Sequence, residues 1–78
     1  MKRDTHEQLQ RYAKYRIPTG GFLHAVLSND LFEALNRADE DNRADIYEIS
    51  QFVHHNLPIG SYGSVKNVKA WLAGRHKV

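Results

Sequence analysis

Apolar residues recur along this chain at helical intervals, and clusters of glycine, proline, serine and acidic residues interrupt them at short spacing. Leu9, Tyr12, Ala13 and Arg16 fall on one stripe of a helix predicted from about Thr5 to Arg16. Thr5 followed by Gln8 has capping-box spacing, which would satisfy the first free N–H groups. Pro18 predicts the end of this helix, because the residue before a proline is pushed out of the α region. Thr19-Gly20-Gly21 reads as a turn and cap. A short helix over Phe22–Leu27 follows, with Phe22/Val26 and Leu23/Leu27 as i,i+4 pairs. Ser28-Asn29-Asp30 interrupts it, and Asp30 with Glu33 reads as a fresh N-cap. The third helix, about Leu31 to Ala38, is expected to bury Leu31, Ala34 and Leu35. The pattern also allows the second and third helices to fuse.

Asp39-Glu40-Asp41-Asn42 suits the start of a fourth helix, since acids there sit favourably in the helix dipole. That helix, about Arg43 to Asn56, carries the clearest apolar stripe: Ile46, Ile49, Val53 and Leu57, with Phe52 beside it. Pro58 stops it. Pro58-Ile59-Gly60-Ser61-Tyr62-Gly63 reads as a tightly turned loop. Ser64 then caps a last helix through Ala73, with Val65, Val68, Trp71 and Leu72 as its apolar face. Gly74 suits the C′ position, and Arg75, His76 and Lys77 suit the negative helix end. No run alternates with a period of two, so no sheet is expected. The expected fold is all-α, a compact bundle of four to five short helices. It is expected to form a single domain over 1–78, with 1–4 and 75–78 frayed.

At 78 residues the chain is sized for one small core, whose stability is expected to be a few kcal/mol. It contains no cysteine, which removes disulfides and thiolate metal sites. Association with a partner is the remaining way to add stability. The polar start Met1-Lys2-Arg3-Asp4 has no apolar segment of a signal peptide, and no run approaches a membrane span. The expectation is a soluble, cytoplasmic protein. Net charge is only +2, but it is segregated. Residues 1–16 hold five cations and two anions, residues 30–48 seven anions and two cations, and residues 49–78 four cations and no anion. Basic ends can therefore attract the acidic middle, in this chain or in a neighbour.

Candidate chemistry is sparse. Among five histidines, His54 and His55 are adjacent and point about 100° apart on a helix, a poor arrangement for one metal ion. No metal site and no cofactor is expected. Gly60-Ser61-Tyr62-Gly63-Ser64 has a superficial likeness to a nucleophile elbow, but that turn needs a preceding strand. The same loop, with Lys66 nearby, and the segment Pro18–Gly21 are the two candidate anion-binding helix starts. The run Asp39-Glu40-Asp41 reads as a solvated helix start rather than a general acid/base pair, which needs a cleft. Trp71 falls at core spacing, whereas Tyr62, Tyr12 and Tyr15 are candidate exposed anchors.

Ile17-Pro18-Thr19-Gly20-Gly21-Phe22-Leu23-His24-Ala25-Val26-Leu27-Ser28-Asn29-Asp30-Leu31, followed by Asn36-Arg37-Ala38-Asp39, resembles a group of small proteins of phages, prophages and other mobile elements. Leu57–Ser64 with Val68 and Trp71-Leu72 is similar to the second half of the same pattern, so the likeness spans about residues 9 to 73. The resemblance brings no catalytic residues. It implies an accessory protein acting in a bacterial cell on a host protein, a defence complex or DNA.

These readings lead to a non-enzymatic protein-binding accessory module that occupies a surface of a host complex, for example as an inhibitor of a defence or transcription complex. Its candidate contacts are Tyr62, Lys66, Lys69 and Arg75 at one end, and Asp39, Glu40 and Asp41 at another. The first alternative is a nucleic-acid-binding regulator that uses Lys66, Lys69 and Arg75 on phosphates and Asn67 on a base edge. The second is a structural homo-oligomer with basic ends meeting acidic middles. No membrane partner is expected.

Overall fold

The computed structural model describes residues 1–74, and the expectations for Arg75, His76 and Lys77 lie outside them. Among the described residues six helices follow one another: α1 (Arg3–Tyr15), α2 (Gly21–Leu27), α3 (Leu31–Arg37), α4 (Glu40–Ala44), α5 (Ile46–Asn56) and α6 (Val65–Ala73). The described residues contain no strand, and the molecule measures 38 × 23 × 20 Å. The all-α expectation holds.

α1 starts earlier than the sequence suggests. Lys2 is its N-cap and Thr5 is buried inside the helix, so the predicted capping box does not form. Gln8 is used elsewhere: its amide donates to Asp4, and its carbonyl oxygen accepts the Gly20 N–H at 3.0 Å. Two of the first residues, expected to fray, make ion pairs. Lys2 Nζ pairs with Asp39 at 2.8 Å, and the Met1 ammonium pairs with Glu48 at 2.6 Å. α1 ends through Arg16, which is left-handed at φ 58° and donates its N–H to the Tyr12 carbonyl. Pro18 lies beyond that stop.

A three-residue turn separates α2 from α3. Asn29 takes φ 61°, Asp30 donates its N–H to Ala25, and the Asp30 carboxylate then accepts the Glu33 N–H as the N-cap of α3. The second and third helices are therefore distinct. α3 packs against α2. The predicted fourth helix is two: Asp39 caps α4 through the Asn42 N–H, and Asp45 closes α4 and opens α5. This break makes six helices where four to five were expected.

The core joins Leu9 and Tyr12 of α1, Leu23 and Leu27 of α2, Ile49 and Val53 of α5, Leu57, and Val68 of α6. Burying an aliphatic or aromatic side chain contributes about 1.5–3 kcal/mol, so these eight positions carry most of the hydrophobic stabilisation. Phe22, Val26, Phe52, Trp71 and Leu72 pack around them, half-buried. The predicted pairs of α2 lie in or against this core, and so do Ile49, Val53 and Leu57 of the α5 stripe, whereas Ile46, the first residue of that stripe, is half-buried outside it. Val65, placed on the apolar face of α6, is instead 50% exposed. Gly74 is in the right-handed region at φ −59°, so it is not the left-handed C′ glycine that was expected.

The loop before α6 is tightly turned. Gly60 and Gly63 take φ 95° and 107°, and the Gly63 N–H donates to the Leu27 carbonyl at 2.7 Å, fastening the loop to the end of α2. Ser64 caps α6 by accepting the Asn67 N–H, as its position predicts.

Candidate functional site

The most unusual surface lies on α3. Leu31 is 58% exposed, Phe32 80% and Leu35 38%. The sequence reading buries Leu31 and Leu35 together with Ala34, and only Ala34 is buried. The reason is geometric. α3 is seven residues long and meets α2, where the small Ala34 allows close approach. Among the described residues the larger side chains are left exposed. Leu31 and Leu35 are one helical turn apart, with Phe32 beside them, so the three form one outward apolar face. Asp30 and Glu33 bring acidic charge to this helix, and Glu33 pairs with Arg37 at 2.7 Å. The pattern's only hint was Phe32, which belongs to no stripe of the core.

A groove of about 770 Å³ lies between α1 and α5. Ala13, Phe52 and Leu57 supply its apolar lining, and His6, Arg11 and Lys14 supply positive or titratable groups. The His6 ring meets Phe52 edge-on at 5.0 Å between centroids. Glu7, also on this groove, is engaged with Arg3 at 3.3 Å. Sequence spacing had not joined Arg11 and Lys14 to Phe52, because they come from elements far apart in the chain.

The residues chosen from the sequence are scattered. Lys66 and Lys69 are exposed on α6, but Tyr62 is half-buried beside the core and is no free anchor. Its hydroxyl lies 3.3 Å from both Nδ1 and the carbonyl oxygen of His54. Arg75 lies outside the described residues. Glu40 and Asp41 are exposed in the first turn of α4, whereas Asp39 is occupied as N-cap and as the partner of Lys2. The Lys2 hydrogen bond holds the Asp39 carboxyl below its ordinary pKa, and the same bond raises that of Lys2. Asn67 is not free to read a base edge, because its side-chain amide donates to the Tyr62 carbonyl at 3.0 Å.

Two tyrosines proposed as exposed anchors differ. Tyr15 is 57% exposed, but Tyr12 is 1% exposed and sits in the core. Its hydroxyl donates to the Ser61 carbonyl, and burial pushes its pKa up to about 12. Trp71 is half-buried, with its indole N–H on the Tyr12 carbonyl and the Arg16 guanidinium 3.6 Å above its ring.

Ser61, the centre of the elbow-like string, is fully buried and donates its hydroxyl to the Pro58 carbonyl at 2.6 Å. It follows a helix rather than a strand, so it is a structural residue of the turn. Among the described residues no three His, Asp or Glu side chains converge as metal ligands. No helix among them is long and apolar enough to cross a membrane.

No family model matches the chain, and neither the curated proteins nor the solved structures compared with it contain a match.

Proposed function

We propose that this chain is a non-catalytic protein-binding module that docks through the outward face of α3. The observation that carries the reading is the exposure of Leu31, Phe32 and Leu35 on one short helix. Leaving three large apolar side chains in water on adjacent positions forgoes burial energy, and contiguous apolar faces of this kind mark interaction sites. A short helix presenting anchors one turn apart fits the helix-in-groove mode of recognition. The resemblance to phage and mobile-element proteins supports a host protein as partner, such as a defence or transcription complex inside a bacterial cell.

Affinity capture from bacterial lysate tests this. The intact protein should recover one host protein complex. Phe32→Asp, shown by circular dichroism to remain helical, should lose it, while Lys66→Glu with Lys69→Glu should keep it. Recovery of nucleic acid alone, or retention of the host complex by Phe32→Asp, would overturn the reading.

A further inference from the structure

We propose that the groove between α1 and α5 receives α3 of a second copy of this chain. The inference rests on the reading of α3 as the docking face and adds a partner for it.

The two surfaces are complementary in polarity and charge. α3 projects Phe32, 80% exposed, with Leu31 and Leu35 beside it. The groove is concave, about 770 Å³ in volume, and lined by Ala13, Phe52 and Leu57. At its rim Arg11 and Lys14 enter no ion pair among the described residues, while the carboxylate beside them, Glu7, is held by Arg3. The docking helix opens with the exposed carboxylate of Asp30, which enters no ion pair among the described residues, whereas Glu33 one turn on is held by Arg37. An aromatic anchor near the Asp30 carboxylate thus finds a partly apolar trough edged by two cations, and such complementarity sets partner choice and register.

The surfaces also belong to different parts of the fold. α3 packs on α2, whereas α1, α5 and Leu57 build the groove, and no residue is shared. Each molecule therefore offers one donor helix and one acceptor groove at the same time. Copies can pair reciprocally about a two-fold axis, each α3 in the other's groove, or join head to tail, and the angle between the two surfaces sets which. The contact rests on a few side chains and falls below the roughly 1,200 Å² of a standard interface, so it is weak and concentration-dependent. A host protein that takes α3 competes directly with self-association.

Sedimentation of the full chain from about 10 μM to about 1 mM, the range where a small interface operates, tests the proposal. The average mass should rise with concentration to a dimer or beyond, and more steeply at low salt than at high salt. Phe32→Asp alone and Arg11→Glu with Lys14→Glu alone should each stay monomeric and helical. Mixed in equal amounts they should form a heterodimer, because each retains the surface the other has lost. A wild type that stays monomeric throughout, or a mixture that stays monomeric, would overturn the proposal. If the wild type is monomeric and Phe32→Asp still loses the captured host complex, self-docking fails while the α3 reading stands. If the variants complement each other and Phe32→Asp keeps that complex, the host-binding reading fails instead.

Discussion

The indole N–H of Trp71 donates to the carbonyl oxygen of Tyr12 at 2.8 Å, joining the last helix to the first across 59 positions of sequence. Around this bond three elements meet. The Tyr12 hydroxyl donates to Ser61 in the α5–α6 loop, and Arg16 covers the Trp71 ring while donating to the Trp71 carbonyl at 3.0 Å. Tyr12→Phe leaves the buried Ser61 carbonyl without this donor and should lower the unfolding free energy by about 1–2 kcal/mol. Urea unfolding followed by Trp71 fluorescence measures this. Equal stability of variant and wild type would show that the link is not a support.

The same hydroxyl sets an alkaline limit. Burial raises the Tyr12 pKa to about 12 in the fold, above the ordinary 10.0. The unfolded chain therefore releases this proton first, and the stabilisation is complete below pH 10 and lost between 10 and 12. The slope from this one group is at most about 1.4 kcal/mol per pH unit. Thermal melts across that range should show the loss in the wild type and a shallower loss in Tyr12→Phe.

At the acid end the Lys2–Asp39 pair has the opposite sign. The Asp39 pKa is lowered in the fold from 3.8, so its contribution is present above 3.8 and lost as pH falls through the folded value. Lys2 is raised from 10.5, so its share persists below 10.5 and is lost as pH rises through its folded value. Asp39→Asn keeps an N-cap acceptor and removes the charge. Its melting temperature should fall below that of the wild type at neutral pH and converge with it in acid, and the neutral gap should narrow in high salt.

Gly63 sits at φ 107°, a conformation costly for any residue with a Cβ, while its N–H is committed to Leu27. Gly63→Ala has room for the methyl group, whose nearest neighbour would be the Asn67 amide at 3.6 Å. The cost is therefore conformational and should be about 1–2 kcal/mol or more. A variant as stable as the wild type in chemical unfolding would contradict this backbone geometry.

α3 predicts a contrast between neighbouring positions. Phe32→Ser alters a side chain that is 80% exposed and should change stability by no more than about 0.5 kcal/mol. Ala34→Leu overfills the 1% exposed contact with α2 and should cost about 1–3 kcal/mol. Thermal unfolding of the two variants checks the pair. A large loss in Phe32→Ser would mean that its ring is covered in solution.

The sequence by itself determined the helical class and most helix ends, because these depend on local chemistry. Asp30 and Ser64 cap where an oxygen can reach the N–H three residues on. Ile49, Val53 and Leu57 line up because helical spacing alone puts them on one face. Even locally one reading escaped the pattern: Thr5 was spaced to cap α1, yet the helix starts at Arg3 and buries Thr5. Tertiary structure alone decided which apolar stripes found a neighbour. Leu31 and Leu35 have the same spacing as core residues, but burial requires an element opposite them, and α3 packs on α2 with Ala34 as its one buried residue. It likewise decided that Tyr12 is core while Tyr15 is surface, and that Arg11 and Lys14 of α1 share a groove with Phe52 of α5. Periodicity describes one helix at a time, whereas exposure and grooves are properties of how several helices meet.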